Sequence, residues 1–172
     1  MSAEEFLPPT PAGRPILAWI SVGARLILGG SLLVAGILSI IDLDQSVVAV
    51  RAYDFPIPEW VEAVIGYTLP VAEILLGLII ITGLFTRWSA LLGGLLMMAY
   101  IGGISSAWAR GLAIDCGCFT PGGMLDADQK TKYAQDILRD VGFLACAVWL
   151  VVFPTSRLSL NTWLKTNKIK KI

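Results

Sequence analysis

Apolar residues along this chain come in runs too long for strands and too continuous for the one-sided helices of a water-soluble domain. A helix that crosses a membrane needs about 20 mostly apolar residues, and four segments approach that length. The first runs from Ile16 to Ile41 and is interrupted once, by Arg25. The second, Val61 to Phe85, carries Glu73 near its middle, just after Pro70. The third, Trp88 to Ala109, has no charged residue. The fourth has a clean apolar part from Val141 to Phe153. That part is too short to span alone and must take in the preceding turns from Tyr133, which carry Asp136, Arg139 and Asp140. The pattern predicts an all-α, polytopic membrane protein: a four-transmembrane-helix bundle over 16–154, with helices at 16–41, 61–85, 88–109 and 133–154 and a polar loop over 110–132. A leader over 1–15 holds Pro8, Pro9, Pro11 and Pro15, which favour an extended or disordered segment. Its stretch Met1 to Gly13 has Glu4 and Glu5 but no Lys or Arg. The apolar run that follows exceeds the roughly 7–15 residues of a secretory signal, so the start is not read as one. A basic tail occupies 155–172.

Composition agrees with the pattern. Of 172 residues, 56% are hydrophobic and 15% charged, against about 45–50% and about 25% in ordinary soluble domains. Mean hydropathy is +0.74. Too little polar surface remains to coat a soluble helical protein. With 13 basic and 13 acidic residues the formal net charge is zero, so no global field draws the chain to nucleic acid, and none is expected as a partner. Histidine is absent. That excludes a Ser-His-Asp or Cys-His catalytic pair, a His-ligated haem and a His-containing zinc site made by this chain alone. Three cysteines are too few for a disulfide scaffold or a four-cysteine cluster.

Basic residues set the expected orientation. With four spans, one side collects Arg14, Arg87, Arg157, Lys165, Lys168, Lys170 and Lys171. The other collects Arg51, Arg110, Lys130, Lys132 and Arg139 among many acidic residues. The bias predicts a multi-pass protein of the cell (inner) membrane with both termini cytoplasmic and the 110–132 loop outside. Trp60 and Trp108 then fall near the outer interface, and Trp19, Trp88 and Trp163 near the inner one. The lipid bilayer is thus the first expected partner.

The strongest chemical signal is Asp115-Cys116-Gly117-Cys118-Phe119, in the outer loop. Two thiols one residue apart close a ring of roughly 11 atoms, which fits relaxed disulfide geometry poorly. The intervening glycine relieves part of that strain. A strained disulfide is more oxidising and exchanges readily. Arg110 stands one turn back in sequence and favours a thiolate, whereas Asp115 opposes it. Cys116, the nearer to Arg110, is then the attacking sulfur and Cys118 the resolving one. Two other readings stay open: a static clip, although so short a loop gains little from closure, and a metal site shared with a partner, although two thiolates leave its shell incomplete. Cys146, inside the fourth helix, reads as a small apolar side chain or as a relay thiol.

Charges within spans are expensive and face a partner or a cavity. Glu73 and Arg25 fit an ion pair that fixes the bundle; they equally fit a proton or quinone-headgroup site. Asp136 and Asp140 share a helix face with Arg139 one turn from Asp136. This is either a solvated helix start or a patch that moves protons during thiol chemistry. Small residues at Ser31, Ala35, Ser39, Ala90, Gly94, Gly102 and Ser106 are read as packing positions.

Several of these residues together resemble a known family. Ala24-Arg25-Leu26, Leu69-Pro70-Val71-Ala72-Glu73 with Gly77, and Arg110-Gly111-Leu112 leading into Asp115-Cys116-Gly117-Cys118-Phe119 are similar to the DoxX-like membrane proteins. Within them the chain is most similar to the MauE branch, linked to methylamine utilisation. The resemblance spans roughly 17–154; it departs at Thr120, where the pattern has Gly. It implies a four-helix membrane bundle with a redox role alongside a thioredoxin-like partner, in forming or handling disulfides of exported proteins. Cys116 and Cys118 are the redox pair it implies. Quinone-linked thiol oxidoreductases such as the vitamin K epoxide reductases are more loosely similar, but they use Cys-x-x-Cys.

The expectation is therefore a membrane thiol–disulfide oxidoreductase or electron conduit. Its catalytic residues are Cys116 and Cys118, supported by Arg110, Asp115, Asp136, Arg139 and Asp140. Its partner is a thioredoxin-like or exported dithiol protein. No covalent cofactor or metal is expected, and a quinone near Arg25 and Glu73 is the candidate final acceptor. The alternative is a non-catalytic subunit of a larger membrane oxidoreductase complex, with Cys116 and Cys118 as a fixed clip. A small-molecule transporter would rest on Glu73 and Arg25 alone.

Overall fold

A computed structural model describes residues 15–116, 122–124 and 131–153. Residues 1–14 of the leader, the basic tail, Trp163 and Cys118 lie outside the described residues, and Pro15 opens the first helix. The described chain is mostly helical. Its order is α1 (Pro15–Ile41), α2 (Leu43–Ala52), α3 (Glu59–Thr82), α4 (Thr86–Ala109), β1 (Ile114–Asp115), β2 (Gly123–Met124) and α5 (Tyr133–Val152).

Three of these, α1, α3 and α4, are long and apolar enough to cross a membrane. α5 has the length, but Asp136, Arg139 and Asp140 crowd its first two turns. The outer faces of the long helices carry Leu26, Ile27, Leu75, Leu92, Leu95 and other exposed large apolar side chains. A soluble helix would place charges there; these faces suit lipid.

The helices alternate in direction. α1 lies along α3, α4 lies along α5, and α5 closes back onto α1. Lipid tails are as apolar as leucine, so close packing rather than water exclusion must hold such helices together. The α1–α3 seam shows this most clearly. A Cβ added at Gly29 would lie 2.9 Å from the Gly77 carbonyl oxygen, and one at Gly77 would lie 2.7 Å from the Gly29 oxygen. The close approach in this seam is made by glycines 29, 36 and 77, and Ala35 on the same helix is buried as well. Leu28, Leu32, Ile80, Met97, Ala147 and Leu150 fill the centre where the four long helices meet. At one end, Trp149 Nε1 donates to Ser21 Oγ at 3.2 Å and ties the end of α5 to the start of α1.

Helix ends follow local chemistry. α3 stops three residues before the expected Phe85, because Gly83 adopts φ +71° and its N–H caps the Ile79 and Ile80 carbonyls. α4 ends in a Schellman motif: Gly111, at φ +69°, donates to Trp108 O and Leu112 donates to Ala107 O. This explains Arg110-Gly111-Leu112 as a stop that turns the chain into the cysteine segment.

α2 was not expected. It begins at Asp42, whose side chain accepts from Gln45 N at 3.0 Å, and it ends near Arg51. It packs on α3, with Val47 against Gly66. The loop after α4 also contains a two-residue hairpin, with Ile114 opposite Met124 and Asp115 opposite Gly123. Gln45 Nε2 holds it by donating to the Gly122 carbonyl at 2.9 Å.

Candidate functional site

Cys116 follows β1 directly and is half-buried. Its base is fixed from two directions. Tyr133, the first residue of α5, donates its hydroxyl to the Leu112 carbonyl and accepts from Ile114 N at 3.0 Å. Tyr53, just past α2, donates to the Cys116 carbonyl at 3.4 Å. The strand leading to the sulfur is therefore pinned to α2 and α5 together.

Among the described residues, Arg139 brings a cation to the sulfur. Its Nη2 lies 3.7 Å from Cys116 Sγ. The same guanidinium meets Asp136 Oδ1 at 3.1 Å and Asp140 Oδ1 at 3.0 Å. Asp136 also comes within interaction distance of Cys116. One arginine thus joins a thiol and two carboxyl groups. A positive group beside sulfur favours the thiolate, which is the nucleophilic form. Asp115, in β1, lies next to this group and adds negative charge to it.

Arg110 does not serve the sulfur as expected. Its guanidinium donates to the Tyr53 carbonyl and, at 2.7 Å, to the Asp54 carbonyl, and it lies 5.6 Å from the centre of the Phe55 ring. The reason is geometric. The Arg110 guanidinium is committed to these two backbone carbonyls, while α5 carries Arg139 to the sulfur. Arg110 instead locks the segment after α2 against the end of α4.

The expected Arg25–Glu73 pair is also replaced. Arg25 is 2% exposed and donates from Nε to Ile80 O at 3.0 Å and from Nη2 to Ile81 O at 2.6 Å. These carbonyls belong to the last turn of α3, where a helix leaves acceptors without intrahelical donors and its dipole is negative. The arginine joins the Gly83 N–H in meeting that demand, about 10 Å along the helix from Glu73 at 1.5 Å per residue. Glu73, 3% exposed, instead accepts a hydrogen bond from the Tyr100 hydroxyl of α4.

Between these two centres lies a cleft of about 370 Å³. α1, α2, α3 and α4 form its walls, Cys116 lies at one part of its lining, and Glu73 and Tyr100 lie at another. Leu38, Ile65, Leu69 and Phe55 supply an apolar surface, with Gln45, Ser46 and Tyr53 as polar points. Pro70 also lines it and cannot donate to the Gly66 carbonyl one turn back. An apolar cavity of this size with a few polar groups is the usual form of a small-molecule site. Arg25 is not part of the lining. Tyr53, Tyr100 and the α2 face were missed from the sequence. Asp42 before an amphipathic decapeptide was the one available signal; a tyrosine within an apolar helix gave none.

Cys146 packs against the central apolar cluster. No group of three or more acidic or cysteine residues among the described residues is placed to hold a metal.

A family model described as methylamine utilisation protein MauE matches residues 16–153. No curated protein and no solved structure matches the chain. The matched stretch contains all the described helices from Ile16 onward and the whole Cys116 site, so this membrane protein belongs to the MauE family.

Proposed function

We propose that this protein is a thiol–disulfide oxidoreductase of the cell (inner) membrane, acting on a dithiol or disulfide of a thioredoxin-like or exported protein. The observation that carries the reading is the contact between Arg139 and the Cys116 sulfur, at the edge of an apolar cleft. A structural clip has no need of a buried-carboxylate-backed guanidinium at its sulfur. In the exchange, the Cys116 thiolate attacks a partner disulfide, an S–S bond forms between the two proteins, and the partner's second sulfur leaves as a thiolate. Cys118 then attacks Cys116 in the mixed disulfide. The Cys116–Cys118 bond forms, the partner sulfur is released, and two electrons and two protons have passed to the partner. The reverse sequence oxidises the partner.

In this reading α5 is the fourth span. Its 20 residues rise roughly 30 Å, and it runs antiparallel to α4 in the bundle. Exposed Trp19 and Trp88 then mark the cytoplasmic interface, and exposed Trp60 and Trp108 the outer one. Both termini are cytoplasmic, and the Cys116 loop is outside. Placement among the DoxX-like proteins rests on the motifs around Arg25, Glu73 and Cys116.

The cleft fits a quinone as the membrane-side redox partner: apolar walls suit its ring and tail, and Tyr53, Gln45, Tyr100 and Glu73 offer polar contacts for its oxygens. Bound there, it would supply a two-electron acceptor or donor beside Cys116. Membership of a larger membrane complex is compatible with the exposed apolar faces.

The test is trapping. In Cys118→Ala, the mixed disulfide on Cys116 cannot be resolved, so a reducible adduct with the partner should accumulate on non-reducing gels, and turnover should cease. Wild-type exchange by Cys118→Ala would end the two-cysteine mechanism.

A further inference from the structure

The Arg139 guanidinium sorts the groups at the thiol by nitrogen. Nε meets Asp140 Oδ1 at 3.0 Å, Nη1 meets Asp136 Oδ1 at 3.1 Å, and Nη2 reaches Cys116 Sγ at 3.7 Å. Asp136 and the sulfur therefore sit on neighbouring nitrogens of one planar group, and the Cys116 thiol and the Asp136 carboxyl group are in hydrogen-bond contact. Of these two side chains at the sulfur, Arg139 carries donors only and keeps its proton, whereas an ionised Asp136 is an acceptor. The two carboxyl groups on the guanidinium differ in access. The side chain of Asp140 is 3% exposed and that of Asp136 18%. Asp140 is sealed against Arg139, while Asp136 can exchange a proton with water. The chain has no histidine to do that work.

The charged groups facing Asp136 come from its own helix and from the segment before it. Arg139 and Asp140 lie on α5, Lys132 precedes its first turn, and Asp115 stands on β1 beside Cys116. Arg110, at the end of α4, is turned to Tyr53 and Asp54, and Arg25 of α1 to the end of α3. Moving the thiol proton to Asp136 leaves the net charge of Cys116, Asp136, Arg139 and Asp140 unchanged. Releasing it to water would add a negative charge to a half-buried cluster that Asp115 already borders. Arg139 stays paired throughout: it gains the thiolate as Asp136 becomes neutral, and Asp140 keeps its Nε.

We propose that Asp136 is the catalytic acid–base of the exchange: its carboxylate takes the Cys116 proton, and the resulting carboxyl group gives that proton to the sulfur that leaves. In the step, the S–S bond of the disulfide breaks and a new one forms to Cys116. The electron pair stays on the departing sulfur, which Asp136 protonates, and Asp136 is ionised again. Arg139 stabilises the thiolate without taking part in the transfer, and Asp140 is a positioning residue for Arg139. The role assigned to Asp136 rests on the thiol-exchange reading, but it is testable with small disulfides and without the partner protein.

The experiment uses the full chain in lipid nanodiscs with Cys118→Ala and Cys146→Ala, which leaves Cys116 as its one thiol. Two neutral disulfides are compared: hydroxyethyl disulfide, whose alkyl thiolate leaves poorly, and dithiodipyridine, whose aryl thiolate leaves well without a proton. Asp136→Asn should slow the first reaction about a hundredfold and the second less than about threefold. Asp136→Glu, which keeps the carboxyl group, should recover most of the loss. Iodoacetamide alkylation of the parent across pH should show two ionisations with a flat shoulder between them, because thiol and carboxyl titrate as a pair; Asp136→Asn should show one. The proposal is overturned if Asp136→Asn slows both disulfides alike, which marks a structural role, if it slows neither, or if the parent shows a single ionisation. The parent profile decides the matter even if the variant fails to fold. If these results are as expected while Cys118→Ala traps no protein partner, the exchange reading fails and the acid–base role of Asp136 stands.

Discussion

The sulfur of Cys116 is served by a residue 23 positions away in the chain, not by the arginine nearest to it in sequence. Arg139 supplies the charge; Arg110 supplies a clamp on the Tyr53–Asp54 backbone. The two substitutions should therefore part company. Arg139→Ala should slow alkylation of reduced Cys116 at neutral pH about tenfold, the equivalent of about 1.4 kcal/mol, through loss of thiolate. Arg110→Ala should leave that rate within about twofold while loosening the cleft wall. Iodoacetamide kinetics on Cys118→Ala backgrounds decide this, and equal rates for Arg139→Ala and its parent would remove Arg139 from the site. The residue types of the site were readable because a Cys-Gly-Cys segment and intramembrane charges are rare. Their partners were less so. Sequence distance suggested Arg110, and depth in the spans suggested pairing Arg25 with Glu73, but both arginines take backbone carbonyls: Tyr53 and Asp54 for Arg110, Ile80 and Ile81 for Arg25.

At the scale of elements, long apolar runs made the helices α1, α3, α4 and α5 legible to within a few residues. The end of α3 shifted where Gly83 took a left-handed conformation. α2 and the short hairpin were illegible as apolar runs because they are brief and mixed in character; they act by walling the cleft and holding the strand before Cys116. The Arg25 cap on α3 makes a sharp prediction at Gly83. A Cβ there would sit 2.1 Å from Arg25 Nη2, and the backbone is at φ +71°. Gly83→Ala should thus cost about 1–3 kcal/mol from the backbone conformation and the displaced guanidinium. It should lower the unfolding temperature in detergent; an unchanged midpoint would show that Arg25 does not depend on this turn. Asp42→Ala, which removes the α2 cap, should cost about 1 kcal/mol and raise protease sensitivity near Gln45 while sparing α1 and α3. Cleavage spread evenly over the chain would show that α2 is not an independently fraying element.

For the whole molecule, the bundle puts the thiol site at one end and the Arg25 cap toward the other, with the cleft reaching from Cys116 to Glu73. Composition and apolar pattern made the membrane assignment legible; the cleft was not, since it is enclosed by four elements whose packing no local pattern encodes. The proposed topology predicts that, in a background lacking native cysteines, Ser159→Cys reacts with an impermeant maleimide only after the membrane is breached. Labelling of that residue in intact cells would contradict cytoplasmic termini. The central claim is that Cys116 and Cys118 cycle between thiol and disulfide, and it is met most directly by their redox state in growing cells. Cells are acid-quenched and the thiols tagged with a large maleimide before and after reduction. Cycling predicts a mixture of reduced and oxidised forms whose ratio shifts when respiration is blocked. A pair that stays fully oxidised under every condition, in a complex that survives Cys116→Ser and Cys118→Ser, would contradict it and make the segment a fixed clip in a larger membrane assembly.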